Sequence, residues 1–578
     1  MSGPPAAPLP RTLDELALIA GIRGDAADQS LFTRAAALVR LHGIGSDTDL
    51  GPLLQAPPAE ADPDVISKLR HMYDAPAWVM LESALADLPI DLRWLFESGA
   101  VTVPELATLH RELGVVSAAD LAAAVADHAV RDGAGLGESI ETAIATALPH
   151  LRQTVPRLPL GRASAIADPI LALLGATPGV RWALPAGSLR RCQDTVGDIE
   201  LVAACDDSSA AIDELVRLPN IARRLHRGER RVCLLFERLQ VGVRLPEPSA
   251  AGLALLHGTG SMGHLTALRT HATSVGWRLT ASGLRRPDGS MGPSETEEEI
   301  YAALGLPFIP PEIRHGEDEV GAAAAGSLPT LLSRQDIRGD LHMHTSWSDG
   351  RDTVEGMVKA CCALGYEYMA ITDHSPTSAA VRNLSIANVA RQADEIARLR
   401  EQYPRIAILQ GCEVDILPDG RLDLPDHVLE RLDIVLASLH ERVGQSSEQL
   451  MGRYLAAMKH PFVNIITHPT NRSVPRNPGY DLDYDRLFAT AAETGTLVEI
   501  DGAPVHLDLD GALARRAAAV GATIAVNSDS HRADVLERHM DFGVGTARRG
   551  WVEPRHVVNT RPLAEIRRFV AAKRSRSG

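Results

Sequence analysis

Several things are scarce in this 578-residue chain, and each scarcity excludes something. It holds no uninterrupted apolar run of about 18 residues, the length a membrane-spanning helix needs. Its first residues, MSGPPAAPLPRTLDELALIAG, lack the basic stretch and apolar core of a secretory signal, so a cytoplasmic location is expected. Six cysteines, Cys192, Cys205, Cys233, Cys361, Cys362 and Cys412, form no C-x-x-C pair. They are too sparse for a disulfide framework or zinc knuckle and are expected to be buried reduced thiols. No repeat of solenoid type is present.

Positive charge is scarce where a nucleic-acid clamp would want it. Residues 1–150 carry 9 Lys and Arg against 21 Asp and Glu, most of the formal net charge of -16. Affinity for nucleic acid rests heavily on neutralised phosphates, so any such binding must come from local patches. The densest patch is Arg217, Arg223, Arg224, Arg227, Arg230, Arg231 and Arg238, broken only by Glu229 and Glu237. It reads either as a track for a DNA backbone, with Arg223, Arg224 and Arg227 as contacts, or as a solvated helix face.

The length and the pattern both point to several domains. Residues 1–150 show apolar positions at three- and four-residue spacing, as in DELALIAGI and QSLFTRAAALVRL, and read as all helical. Within them GAGLGESIETAIATAL has a Gly-x-Gly turn at Gly135 and Gly137, suited to offering N–H groups to a DNA phosphate, or serving as an ordinary helix connection. Residues 151–314 alternate strand-like and helical stretches and read as an α+β unit. Residues 315–335, acidic and then Ala/Gly- and Ser/Pro-rich, read as a linker.

From residue 336 to 578 apolar strands recur with helices between them, and nearly every strand ends on His, Asp or Glu: GDLHMHT, EYMAITDHS, IAILQGCEVDI, DIVLASLHE, VNIITHP, TLVEIDG and ATIAVNSDSH. Seven such units suggest a closed barrel whose C-terminal strand ends meet at one mouth. The donors there are His342, His344, Asp349, His374, Glu413, His440, His468, Asp529 and His531. Six imidazoles and three carboxylates exceed one tetrahedral ion and suit two or three divalent metals. Zn, Mn or Fe fit that donor set better than Mg alone, though Mg stays possible. Such a site activates water for phosphoester hydrolysis.

HMHTSWSDG, TDHS, GCEVDI, SLHE, THP and NSDSH resemble the polymerase and histidinol phosphatase (PHP) family over about 336–578. The resemblance implies a distorted (β/α)7 barrel with a trinuclear site, Glu413 bridging metals, and phosphoesterase chemistry. It makes His342, His344, His374, Glu413, His468 and Asp529 the expected catalytic centre. Arg421 and Arg472 are candidates on exposed loops for a substrate phosphate.

Upstream, GSLRRCQDTVGDIEL resembles the Gly-Ser turn, arginines and first two metal carboxylates of family X nucleotidyltransferases, a likeness that extends over residues 10–315. The order helical hairpin region, polymerase core, PHP barrel is that of bacterial family X DNA polymerases. Ser188, Arg190, Arg191, Asp198 and Glu200 match that site. The third carboxylate does not: aligned on QVGVRLP, its position is Gly242, and no acidic residue lies between Arg238 and Glu247. HGTGSMGHL has His257 and Gly258 in place of the family's aromatic pair, and Leu265 where the family has Asn. The first hairpin turn, FESGAVTVPEL, lacks Gly-x-Gly.

These features predict a metal-dependent 3′-5′ exonuclease acting on DNA 3′ ends or gaps through its barrel, with an inactive polymerase core that positions DNA. The competing readings are an active gap-filling repair polymerase, a small-molecule phosphatase of histidinol-phosphate type, and a non-catalytic repair scaffold.

Overall fold

The computed structural model describes residues 8–74, 77–151, 157–219, 221–236, 239–378, 383–440 and 444–575. The expected helical region is there. Helices Leu9–Arg23, Ala26–Leu41 and Pro63–Asp74 pack around Leu13, Ala35, Val39 and Leu69. A second cluster around Leu92, Leu106, Leu121 and Ile144 joins Val103–Leu113, Ala118–Ala126 and Gly137–Leu151. Gly135 and Gly137, at φ 66° and 83°, make the turn into the last of these, a backbone that side-chain-bearing residues rarely adopt. The eroded first hairpin behaves differently. Thr102 and Glu105 cap their own helix, the Thr102 N–H donating to Glu105 Oε2 at 2.7 Å. A side chain thus already holds an N–H at that turn.

The α+β unit is a five-stranded sheet of β1 (Val180–Pro185), β2 (Ile199–Cys205), β3 (Ile221–Arg227), β4 (Arg231–Phe236) and β5 (Leu239–Arg244), in the order β1-β2-β5-β4-β3. Helices Leu160–Ala176 and Ser208–Val216 cover one face. Residues 251–303 add three helices and a hairpin. The supposed linker is ordered and packed: Glu319–Ala324 is a helix, Val320 and Ala323 lie in the same apolar cluster as Leu268 and Tyr301, and buried Glu319 bonds His264 Nδ1 at 2.8 Å. Its low periodicity hid a short helix anchored by one buried polar pair.

The C-terminal barrel has seven parallel strands in sequence order: β6 (Gly339–Asp340), β7 (Tyr368–Ile371), β8 (Ala407–Asp415), β9 (Ile434–Ser438), β10 (Ile465–Ile466), β11 (Leu497–Asp501) and β12 (Ile524–Asn527). A parallel bridge between Met343 and Ser530 brings the two ends together. Alternate residues serve different layers, as a strand's period of two dictates. Tyr368, Ala370 and Leu436 meet Ile566 of the last helix, Leu563–Ser575, whereas Met369, Ile371 and Val435 pack with the surrounding helices. The strands are buried on both faces and so read as continuous apolar runs.

The units are not beads on a string. Leu507 and Phe542 of the barrel region lie in the core cluster of the five-stranded unit. No helix among the described residues is long and apolar enough to cross a membrane. All six cysteines are free; four are buried, while Cys192 is half-buried and Cys362 exposed, against the expectation of six buried thiols.

Candidate metal centre

The nine donors meet at the C-terminal ends of the barrel strands. Glu413, at the end of β8 and 1% exposed, is the hub. Its Oε2 lies 3.5 Å from His342 Nε2, 3.4 Å from His344 Nε2 and 3.0 Å from His374 Nδ1. Its Oε1 lies 3.2 Å from His440 Nε2 and 2.8 Å from His468 Nε2. Asp529 Oδ1 stands 3.1 Å from His344 Nε2, and Asp349 faces His374 at 3.5 Å and His531 at 3.3 Å. The site is deep at His342 and His344 and opens at Asp349, His440 and His531.

This arrangement fits divalent cations. Nε2 of His342 and His344 converge to 3.1 Å. Glu413 Oε2, Asp529 Oδ1 and Nδ1 of His344, His374 and His468 are buried without a hydrogen bond among the described residues. Buried polar atoms are otherwise almost always satisfied. Three groups could each hold an ion: His344, Asp349, His374 and His531; His342, His344 and Asp529; His374, Glu413 and His440. The electrostatics agree. Burial opposes charge, yet the surrounding imidazoles hold Glu413 and Asp529 well below the usual carboxylate range. Burial likewise opposes protonation of His440 and His531, but the carboxylates lift them to about 10 and about 9. The carboxylates demand positive charge, which bound divalent ions would supply in place of those protons.

An outer ring of acids escaped sequence reasoning. Glu499 on β11 bonds His342 Nδ1 at 2.8 Å, accepts from the His468 N–H at 2.9 Å and from Asn527 Nδ2 at 2.7 Å. Asp415 bonds His440 Nδ1 at 2.5 Å. These bonds turn Nε2 of both rings inward, the usual orienting role of such partners. Their signal was in EVDI and VEID, where an acid stands in or beside a strand end. Asp501, His506 and Asp529 form a further close group at the same mouth.

Of the two candidate phosphate arginines, Arg421 is exposed and pairs with Asp419 at 2.7 Å. Arg472 is not on an exposed loop. It is 9% exposed, and its guanidinium is spent on Asp194 and two backbone carbonyls.

The second candidate site lies in the five-stranded unit, where a cavity of about 240 Å³ is lined by Ser188, Arg191, Asp198, Glu200, Thr259 and Leu265. Its far wall includes Ala119, Ala122 and Ala123 of helix Ala118–Ala126. β2 and β5 run parallel with Glu200 paired to Gly242. A Cβ at Gly242 would lie 2.3 Å from Glu200 Oε1, so the Glu200 carboxylate fills the space a side chain there would need. Burial pushes the Glu200 carboxyl up to about 7, against the opposing pull of Arg231 and Arg244. Arg231 and Arg244 are held chiefly by Asp120, from the helical region. Arg190 is tied to Thr259 Oγ1 and Glu297 at 2.7 Å each, so it braces the cleft instead of facing a ligand.

The Arg-rich stretch is not a helix face. Arg217 ends helix Ser208–Val216, and the arginines after it lie on edge strand β3, the turn after it and β4, with Arg238 and Glu237 outside the described residues. Arg223 pairs with Asp87, Arg227 with Asp213 at 2.8 Å and Arg230 with Glu247 at 3.0 Å, while Arg224 is exposed. Arg231 is buried.

Residues 254–315 match the DNA polymerase beta thumb and residues 340–493 the PHP domain. The chain is 35% identical over 508 residues to the DNA polymerase/3′-5′ exonuclease PolX of Bacillus subtilis (strain 168), covering 87% of this chain and 89% of that protein. The chain belongs to the family X DNA polymerases that carry a PHP domain. The chain is also 31% identical over 203 residues to a probable phosphatase of Thermoanaerobacter sp. (strain X514), 33% of this chain and 78% of that one. A probable phosphatase of Syntrophotalea carbinolica is 27% identical over 232 residues, 38% of this chain and 90% of that one.

Proposed function

We propose that the barrel is a metal-dependent phosphoesterase that removes nucleotides from DNA 3′ ends, and that the polymerase core no longer adds them. The convergence of nine donors on Glu413 carries this reading. Bound divalent ions, two or three of Zn, Mn or Fe, would acidify a coordinated water and neutralise phosphate oxygens. His342, His344, Asp349, His374, Glu413, His440, His468, Asp529 and His531 would hold them, with Glu499 and Asp415 keeping the rings turned inward.

DNA as substrate is supported by the printed activity of the Bacillus subtilis relative. Silence of the polymerase core is supported by Gly242 and by the Glu200 carboxylate that occupies its space. We assign 1–150 and 151–314 to the DNA-positioning part, with Arg223, Arg224, Arg227 and the Gly135–Gly137 turn as its phosphate contacts, and 336–578 to the hydrolase. We infer a cytoplasmic location, as the DNA-directed activity of that relative would suit. The test is a 5′-labelled duplex incubated with the Mn²⁺-loaded full chain. Stepwise shortening that disappears on chelation and in His374→Ala is expected; shortening that survives His374→Ala would refute the assignment.

A further inference from the structure

Asp194 sits between Arg191 and Asp198 on a loop of the polymerase core, yet its carboxylate faces the barrel. Oδ2 accepts from Arg472 Nη1 at 2.8 Å, and Oδ1 accepts from Arg549, which also donates to Cys192 O at 2.7 Å. Arg472 in turn ties two barrel loops together. Its Nε donates to His506 O at 2.9 Å and its Nη2 to Leu507 O. His506 Nδ1 returns a bond to Arg472 O at 2.9 Å, and the His506 ring stacks on His468 with centroids 5.6 Å apart. Four residues before Arg472 stands His468, whose Nε2 reaches Glu413.

The backbone of these loops is unusual. His468, Asn471 and Leu507 have φ of 28°, 48° and 47°. Residues with a Cβ hold such angles only where surrounding contacts impose them. Those contacts come partly from outside the barrel: Asp194 on Arg472, and the core of the five-stranded unit around the Leu507 side chain.

We propose that Asp194 is a positioning residue for the barrel's metal site, acting through Arg472 to hold the loop that carries His468. The inference rests on the reading of the nine donors as metal-binding. It gives the polymerase core a task that survives the loss of its own third carboxylate, namely outer support for a ligand on another unit.

The experiment uses the full chain, with Mn²⁺ as the metal and bis(p-nitrophenyl) phosphate as a small diester whose turnover needs no DNA contact. Asp194→Asn is expected to weaken Mn²⁺ binding and lower kcat by about tenfold or more, with KM unchanged. Asp194→Glu, which keeps the charge, is expected to recover most of both. Arg549→Gln removes the other partner of Asp194 without touching Arg472; it should lower the melting temperature and leave Mn²⁺ binding in place. A folded Asp194→Asn chain with unaltered Mn²⁺ affinity and kcat would overturn the proposal. So would an Arg549→Gln chain that loses as much Mn²⁺ as Asp194→Asn. Should Asp194→Asn not fold, Arg472→Lys carries the same test, since it keeps a charge opposite Asp194 but drops the bonds to the two carbonyls; retained Mn²⁺ affinity there would overturn it equally. An unaltered chain that binds no Mn²⁺ would instead sink the metal reading itself.

Discussion

At the barrel mouth one glutamate, Glu413, is ringed by five imidazoles; in the polymerase cleft another, Glu200, faces a glycine and a guanidinium 3.8 Å away. Both are almost fully buried, at 1% and 8% exposure. Burial raises a carboxyl in either place, yet Glu413 ends far below its ordinary value and Glu200 rises to about 7. The partners decide. Glu413 sits among groups that need an anion and would share it with cations. Glu200 is paired with Gly242, and its side chain fills the space that a side chain there would need. One chain thus holds a buried carboxylate ringed by imidazoles and, in the polymerase cleft, a second whose side chain fills the space beside a glycine.

Glu413→Gln should break the comparison most severely. It keeps the shape and removes the charge that binds the cluster together, so diester hydrolysis is expected to fall by more than about a hundredfold, beyond what loss of an outer partner costs. A turnover assay alongside a metal count checks it. Asp120→Ala acts on the other side. It leaves Arg231 and Arg244 without their shared carboxylate, a loss of about 3–5 kcal/mol expected for stranding a buried charge, read as a lower melting temperature of the upstream half. Gly242→Ala should cost less, about 1–3 kcal/mol, because the new methyl meets a carboxylate that can turn aside only within a packed cleft. Nucleotide addition should stay absent in that variant.

The smallest effect is a pH dependence. Because the folded state keeps a proton on Glu200 up to about 7 and the unfolded chain releases it near 4.5, stability should fall as pH rises through that window. Glu200→Gln should flatten the fall in melting temperature over that range, and an identical pH profile in the variant would speak against a protonated, buried Glu200.

How much of this was legible in the sequence follows the distance over which each feature is built. All nine donors stand on or shortly after one of six barrel strands, so HMHT, TDHS, GCEVDI and NSDSH could be read locally, and parallel strands of one barrel bring such ends together. Gly242 was legible for the same reason, as a gap in a short strand motif. The outer acids were half visible: Asp415 lies in GCEVDI and Glu499 in TLVEIDG, but nothing local says which imidazole they face. Arg472 was misread because its partner Asp194 lies 278 residues earlier, and no periodicity reports such a pair. Of the two readings of the Arg-rich stretch, the helix face fails because residues 221–236 pair as two antiparallel strands, a pairing that no local pattern reports. The packed segment after Glu317 was read as a linker because its anchor, Glu319 on His264, is also long-range.

The most direct test of the account incubates the full chain with a 5′-labelled gapped duplex, Mn²⁺ and all four deoxynucleotides, so that both sites compete for one 3′ end. The account predicts a ladder of shortened products that Glu413→Gln abolishes and Asp198→Ala leaves intact. Extended products that Asp198→Ala abolishes would show the polymerase core to be active and contradict it.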